Sequence, residues 1–188
     1  TALASASDGR LVISGGSDGV LCLWHAVGRV EDSEGTSRLR FAGWAALPEG
    51  REIQHLAVSD DNSCALAVSR GCSVVHIVDL HRVEVMDVVV RSSIAAPLTT
   101  LCTSSSNDYV GFGSSSGHIE VHGGGNDTEP VFCGTQVAED GTPQAVTALA
   151  IGDTDQIIAS AGPDGIRLWD FRTEELLLQL HDVVNVMT

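Results

Sequence analysis

The chain has 188 residues, of which 43% are hydrophobic and 19% charged, so it can bury a sizeable core and is not a disordered segment. Its 25 acidic residues outnumber 10 basic ones, and the net charge of −15 argues against binding to a phosphate backbone and suits a basic protein partner. Every basic residue is arginine, which excludes a P-loop lysine or a Schiff-base lysine from this sequence.

Cysteine usage and hydropathy bear on the cellular compartment. The five cysteines are odd in number, form no C-x-x-C pair and lie in or beside apolar runs, as reduced thiols do. We therefore expect an intracellular protein, cytoplasmic or nuclear. No apolar run approaches the roughly eighteen residues of a membrane span, so no membrane association is predicted. The sequence starts inside an apolar stretch, which favours a piece of a longer protein.

The first element is a unit of three short apolar runs, and it recurs at the far end of the chain. Residues 3–7, 11–16 and 20–25 form the first unit. The last unit repeats the same order of residue types. Its runs are 149–153, 157–162 and 166–170. Aliphatic runs separated by Asp, Gly, Ser and Asn predict short strands joined by turns.

Two weaker copies lie between these units. Their runs cover 56–60, 64–68 and 74–79, and then 101–104, 109–113 and 118–122. A fourth run follows each of the four units, at 41–47, 83–90, 131–135 and 176–180. Four strands per unit of about 45 residues are typical of a propeller blade. Residues 174–184 also fit an amphipathic helix, but the position of this run favours a strand.

The hairpins between second and third strands carry the clearest turn signals. Asp18-Gly19 and Asp164-Gly165 are predicted to supply the left-handed conformations of tight hairpins. Arg70-Gly71 and Ser116-Gly117 stand at the matching places in the middle units.

Leu168-Trp169-Asp170 and Leu23-Trp24-His25 resemble the closing motif of the WD-repeat β-propeller family. Val78 and His122 stand where the other units have Trp, and Asp79 keeps the aspartate. The Gly-His pair that often precedes the first strand is missing, so the family's Asp-His-Ser-Trp hydrogen-bond network is expected to be incomplete.

The resemblance implies an all-β fold with four four-stranded antiparallel blades, part of a larger, seven-bladed ring. The expected blades cover residues 1–47, 53–90, 98–135 and 146–180, and residues 183–188 are expected to open a further blade. The residues assigned to the structural blade motif are Asp18, Trp24, Asp79, Ser160, Asp164, Trp169 and Asp170. A four-blade arc leaves open edges, so the isolated chain is expected to self-associate or to need further blades.

Two patterns invite other chemistry. The run Gly111 to Gly117 suggests a dinucleotide cofactor and a small oxidoreductase, but that reading needs a helix after the glycines, where a strand is predicted. His118 and His122 share one face of a strand and, with Cys133, offer three ligands for zinc. A fourth ligand at suitable spacing is lacking, so packing roles are favoured for both histidines.

The resemblance implies a scaffold that binds proteins and has neither catalysis nor a cofactor. The acidic segment with Glu31, Asp32 and Glu34 is a candidate contact for a basic partner, as are the hairpins with Arg70, Ser115 and Asp164. Unit order and the degenerate middle units are also similar to WD-repeat subunits of large-ribosomal-subunit maturation complexes.

Overall fold

The computed structural model describes residues 2–27, 38–91, 95–123, 129–152, 154 and 156–180. This part of the chain contains sixteen strands and no helix. Each sheet has four strands in sequence order, paired antiparallel wherever the register is defined. The fold class expected from the sequence, all-β with four four-stranded antiparallel sheets, is confirmed.

The strands have the following limits. The first sheet contains β1 (Ala2–Ser5), β2 (Leu11–Gly15), β3 (Val20–Val27) and β4 (Arg38–Ala46). The second contains β5 (Ile53–Val58), β6 (Cys64–Ser69), β7 (Val74–Asp79) and β8 (Glu84–Arg91). The third contains β9 (Leu98–Thr103), β10 (Tyr109–Ser114), β11 (His118–Gly123) and β12 (Phe132–Thr135). The fourth contains β13 (Ala148–Ile151), β14 (Ile157–Gly162), β15 (Gly165–Asp170) and β16 (Glu175–Leu180).

The turns repeat as regularly as the strands. The first-to-second turns place Gly9, Asn62 and Asn107 at positive φ, at the same point of three successive sheets. The third-to-fourth turns place Val83 and Glu174 at positive φ, four residues after Asp79 and Asp170. Gly and Asn tolerate this region, whereas a β-branched residue such as Val83 is strained there.

The hairpin prediction needs one correction. Gly19 and Gly165 have the expected positive φ, at 78° and 126°, but Asp18 and Asp164 are not among the residues with positive φ. Asp18 instead accepts a hydrogen bond from the backbone N–H of Val20 through Oδ1, at 3.1 Å. Each aspartate therefore acts through its side chain, and only the glycine supplies the left-handed conformation.

The chain divides into two compact units, Thr1–Arg70 with Val74–Val90 and Gly71–Ser73 with Arg91–Thr188. The first unit holds the first two sheets around one core cluster. That cluster includes Leu11, Ile13, Leu21, Leu23 and Ile53. The second unit holds the last two sheets around a second cluster. That cluster includes Ile119, Val121, Phe132, Val146, Ile158 and Phe171.

Inside each unit, an aliphatic side chain packs directly against a glycine of the neighbouring sheet. The side chain comes from the start of the second sheet of that unit. A Cβ on Gly15 would lie 2.6 Å from Ile53 Cγ2, and a Cβ on Gly113 would lie 2.6 Å from Val146 Cγ1. Ile53 and Val146 are both fully buried. The same close approach therefore joins the two sheets of each unit, and no larger residue fits at either glycine.

Candidate functional site

Two tryptophans close their sheets in the same way. The indole Nε1–H of Trp24 donates to Ser14 Oγ, and that of Trp169 donates to Ser160 Oγ, both at 3.0 Å. Trp169 and Ser160 were both assigned to the blade motif from the sequence, and the structure joins them. Each bond runs from the third strand to the second, so the motif residues lock the strands of a sheet together.

The middle sheets fill the same positions with other residues. Strand register places Val78 opposite Ala65, and His122 opposite Val110, where the outer sheets have Trp. The His122 ring stacks on Phe112 with centroids 4.9 Å apart. The Trp–Ser hydrogen bond is thus replaced by packing in both middle sheets.

The carboxylates of the motif aspartates accept hydrogen bonds from the backbone of turns. Asp79 Oδ1 accepts the backbone N–H groups of His81 and Arg82, at 2.8 and 3.0 Å. Asp170 Oδ1 accepts those of Arg172 and Thr173, at 2.9 and 3.1 Å. These backbone hydrogen bonds, with that of Arg82 the largest cause, lower the pKa of Asp79. Both carboxylates therefore fix the turn between the third and fourth strands.

The candidate partner-binding residues differ in availability. Arg70 is exposed and forms an ion pair with Glu52 at 2.7 Å, and Ser115 is exposed in its hairpin. Asp164 is half-buried and its carboxylate is engaged inside the second unit. Glu31, Asp32 and Glu34 lie outside the described residues, as do residues 183–188.

Asp164 belongs to a polar network that the sequence analysis did not find. Its Oδ2 lies 2.6 Å from Nη2 of Arg167, which is only 2% exposed, and its Oδ1 accepts Gln136 Nε2 at 3.1 Å. The Arg167 guanidinium also donates to the backbone oxygen of Val137. The hydrogen bond from Arg167 is the largest cause that lowers the pKa of Asp164. This network fastens the 136–144 connection to the fourth sheet.

The run Gly111 to Gly117 does not have the geometry of a dinucleotide-binding loop. Its first residues lie on β10, and β11 follows Gly117 where a cofactor site needs a helix. A Cβ on Gly111 would lie 2.9 Å from Cys102 Sγ. Ser114 Oγ accepts the backbone N–H of His118, at 3.1 Å, and closes the hairpin. These glycines serve close packing and a turn.

The proposed zinc ligands are not brought together. His122 is buried and its Nε2 lies 3.1 Å from Glu120 Oε2, whereas His118 is exposed and its Nδ1 lies 3.2 Å from Thr135 Oγ1. Within the described residues, no group of three or more His, Cys, Asp and Glu side chains could hold a metal ion. Burial raises the pKa of Cys102 to about 12, so this thiol stays protonated and packs as an apolar group.

Buried ionisable side chains are the feature that sequence reasoning missed. Glu120 and His76, like Arg167, lie two residues before the Trp position of their sheets, and all three are at most 4% exposed. His76 Nε2 lies 2.7 Å from Glu49 Oε1 within the first unit. Counting back two residues from the motif would have placed these side chains on the same face as Trp. That spacing was the available signal.

The comparisons with known proteins agree with the sheet architecture. The repeat described as "WD domain, G-beta repeat" (WD40) matches residues 1–25, which cover β1, β2 and most of β3, including Trp24 and Ser14. No curated protein matches the chain. Among the described residues, no helix is long and apolar enough to cross a membrane.

Proposed function

We propose that this chain is a non-catalytic scaffold that binds other proteins inside the cell through the loops of its sheets. The observation that supports this most directly is the match of residues 1–25 to a WD repeat, since such repeats generally serve protein interaction. The Trp–Ser closure of that first sheet recurs in the fourth. Rigid sheets fix the positions of loops, and the loops determine the partner.

The partner has a basic surface, because the chain carries a net charge of −15. The acidic segment with Glu31, Asp32 and Glu34 and the hairpin with Ser115 are the proposed contacts. A role in ribosome maturation is the narrower hypothesis, since the proteins to be assembled there are basic.

The test is quantitative affinity purification of this protein from cells after cross-linking. A partner present in a near-stoichiometric amount is expected, and it should be reduced in the variant E31Q/D32N/E34Q. The control E84Q/D108N/E175Q removes the same charge from exposed positions elsewhere on the described strands and turns and should retain the partner. No stoichiometric partner, or equal loss in both variants, would overturn the acidic-segment proposal.

Two further measurements address the process and the alternative. Co-sedimentation with large-subunit precursors is expected if the ribosome hypothesis holds, and migration away from those particles would remove it. The oxidoreductase alternative predicts a higher melting temperature with nicotinamide or flavin cofactors, because a ligand of the native state stabilises it. We expect no shift.

A further inference from the structure

The second unit contains a cavity of about 610 Å³ that none of the roles above explains. The neighbouring strands β11 and β12 form one wall, and Ala95 and Ala96 contribute to another. Pockets that bind small ligands or side chains have volumes of roughly 300–1,000 Å³. The cavity is therefore large enough to hold a side chain together with its flanking backbone.

The most deeply buried charged group on the wall is the carboxylate of Glu120. Its side chain is 3% exposed, and the strand register sets it directly opposite Cys133, which also lines the cavity. Its carboxylate Oε2 lies 3.1 Å from Nε2 of the buried His122. A buried carboxylate favours a cation beside it, because the low dielectric strengthens their attraction.

Negative charges lie near Cys133 on the cavity wall. The pKa of the Cys133 thiol is raised by burial first, and then by the negative charges of Glu120, Glu174 and Glu129. A thiolate is disfavoured there because the surrounding potential is negative. That potential attracts a cationic group.

The rest of the lining suits a long side chain with a polar head. Ala95 and Ala96 offer apolar surface to a methylene stem. The polar groups of Ser116, His118 and Thr135 stand on the lining and provide hydrogen-bonding atoms. Arginine fits this combination better than lysine, because its guanidinium is planar, more weakly hydrated, and presents several donors at once.

We propose that this cavity binds an arginine side chain of a partner protein, with the Glu120 carboxylate as its ion-pair partner. The proposal rests on the proposed scaffold function and names the chemistry by which one partner is recognised. A charge-assisted hydrogen bond in a desolvated site discriminates strongly against an uncharged isostere.

The probe is a fluorescein-labelled, amidated Gly-Gly-Arg-Gly-Gly peptide, titrated with the full chain and followed by fluorescence anisotropy. Replacing the arginine by citrulline preserves shape and removes the charge, and we expect binding to weaken by about tenfold or more. The lysine peptide should bind with intermediate affinity. Equal affinity of the arginine and citrulline peptides would overturn the proposal.

Two variants locate the site. Glu120→Gln should weaken binding of the arginine peptide by about tenfold, whereas Glu84→Gln, in the first unit, should leave it unchanged. Should E120Q fail to fold, Cys133→Lys replaces an exposed side chain and brings a tethered ammonium to the same wall. It should abolish peptide binding, and Cys133→Ser should not.

The results separate this proposal from the scaffold function. Peptide binding that is absent or unchanged by these variants, while a stoichiometric partner is captured from cells, would overturn the cavity alone. Peptide binding lost in E120Q or in Cys133→Lys, without any captured partner, would support the cavity and count against the scaffold.

Discussion

Trp169 joins the packing of the second unit to the hydrogen bonding of its own sheet. Its ring meets Phe132 edge-on with centroids 6.0 Å apart, and its Nε1–H donates to Ser160. We expect Trp169→Ala to lower the free energy of unfolding by about 3–5 kcal/mol, as large-to-small core changes do. Trp44→Ala is the control, because Trp44 is 60% exposed. Urea denaturation measures both, and equal losses would show that Trp169 is not part of the core.

Asp164 predicts a pH dependence. Its pKa is held below 3.8 in the folded chain, so its ionised form is favoured by folding. The resulting stability is complete above the unfolded pKa of about 3.8 and is lost as the pH falls through the lower folded value. In Asp164→Asn, the melting temperature should therefore fall less between pH 5 and about 2 than it does in the wild type. Glu175→Gln, which removes an exposed carboxylate from β16, should keep the wild-type slope.

At this scale the sequence predicts recurring contacts but not individual ones. The Trp169–Ser160 bond followed from the repeated order of strands, because both residues keep their places within the unit. The Asp164–Arg167–Gln136 network did not, because within the described residues it is found at the fourth sheet alone and no repeated pattern announces it. Asp164 was assigned to the blade motif and to partner contact alike. Its carboxylate, however, is already engaged by two side chains.

Among the elements, the hairpin between β10 and β11 leaves no room for a Cβ at its glycine. Gly117 has a φ of 85°, and a Cβ there would lie 2.6 Å from the backbone oxygen of Gln136 and 2.8 Å from that of Gln144. Gly141 has a similar φ of 81° with nothing within 4 Å of such a Cβ. Gly141→Ala should therefore cost only the conformational penalty of about 1–2 kcal/mol. Gly117→Ala should cost clearly more, since backbone has to move.

The melting temperatures of these two alanine variants provide the measurement. A loss at Gly117 no larger than at Gly141 would mean that the hairpin is not held against the 136–144 connection. The argument against a cofactor loop would then rest on the strand that follows Gly117 and no longer on close packing of that glycine.

The positions of the strands were largely predictable from the sequence, whereas the side-chain pairs that form on them were not. By periodicity alone, the apolar run at 176–180 also fitted a helix. The structure instead has a strand there, Glu175–Leu180, which belongs to the fourth sheet. Alternating aliphatic residues and Asp-Gly or Asn turns carry that information locally. The pairing of Glu120 with His122 does not follow from alternation, because two polar residues on one face fit an exposed strand equally well.

At the scale of the whole molecule, each compact unit is built on the same plan of two sheets joined at a glycine. The recurring order of short apolar runs and turn residues made four sheets predictable. The grouping into two units depends on contacts such as Gly15 with Ile53 and Gly113 with Val146, which join residues more than thirty positions apart. A single sequence does not encode such pairs in any local pattern.

Each compact unit leaves large apolar side chains exposed. In the first unit, Leu3 is 74% exposed and Trp44 is 60% exposed, and in the second, Leu178 and Leu180 on β16 are each 44% exposed. Contiguous exposed apolar side chains on a sheet favour association with another sheet. We expect the 188-residue chain to self-associate at micromolar concentration in sedimentation velocity, and Leu178→Thr with Leu180→Thr to reduce it. Ile158→Val, at a buried position of the same sheet, should lower stability by about 0.5–1.5 kcal/mol and leave association unchanged. A cooperatively melting monomer would show that these apolar surfaces do not cause association. It would also contradict the expectation that this chain needs further blades.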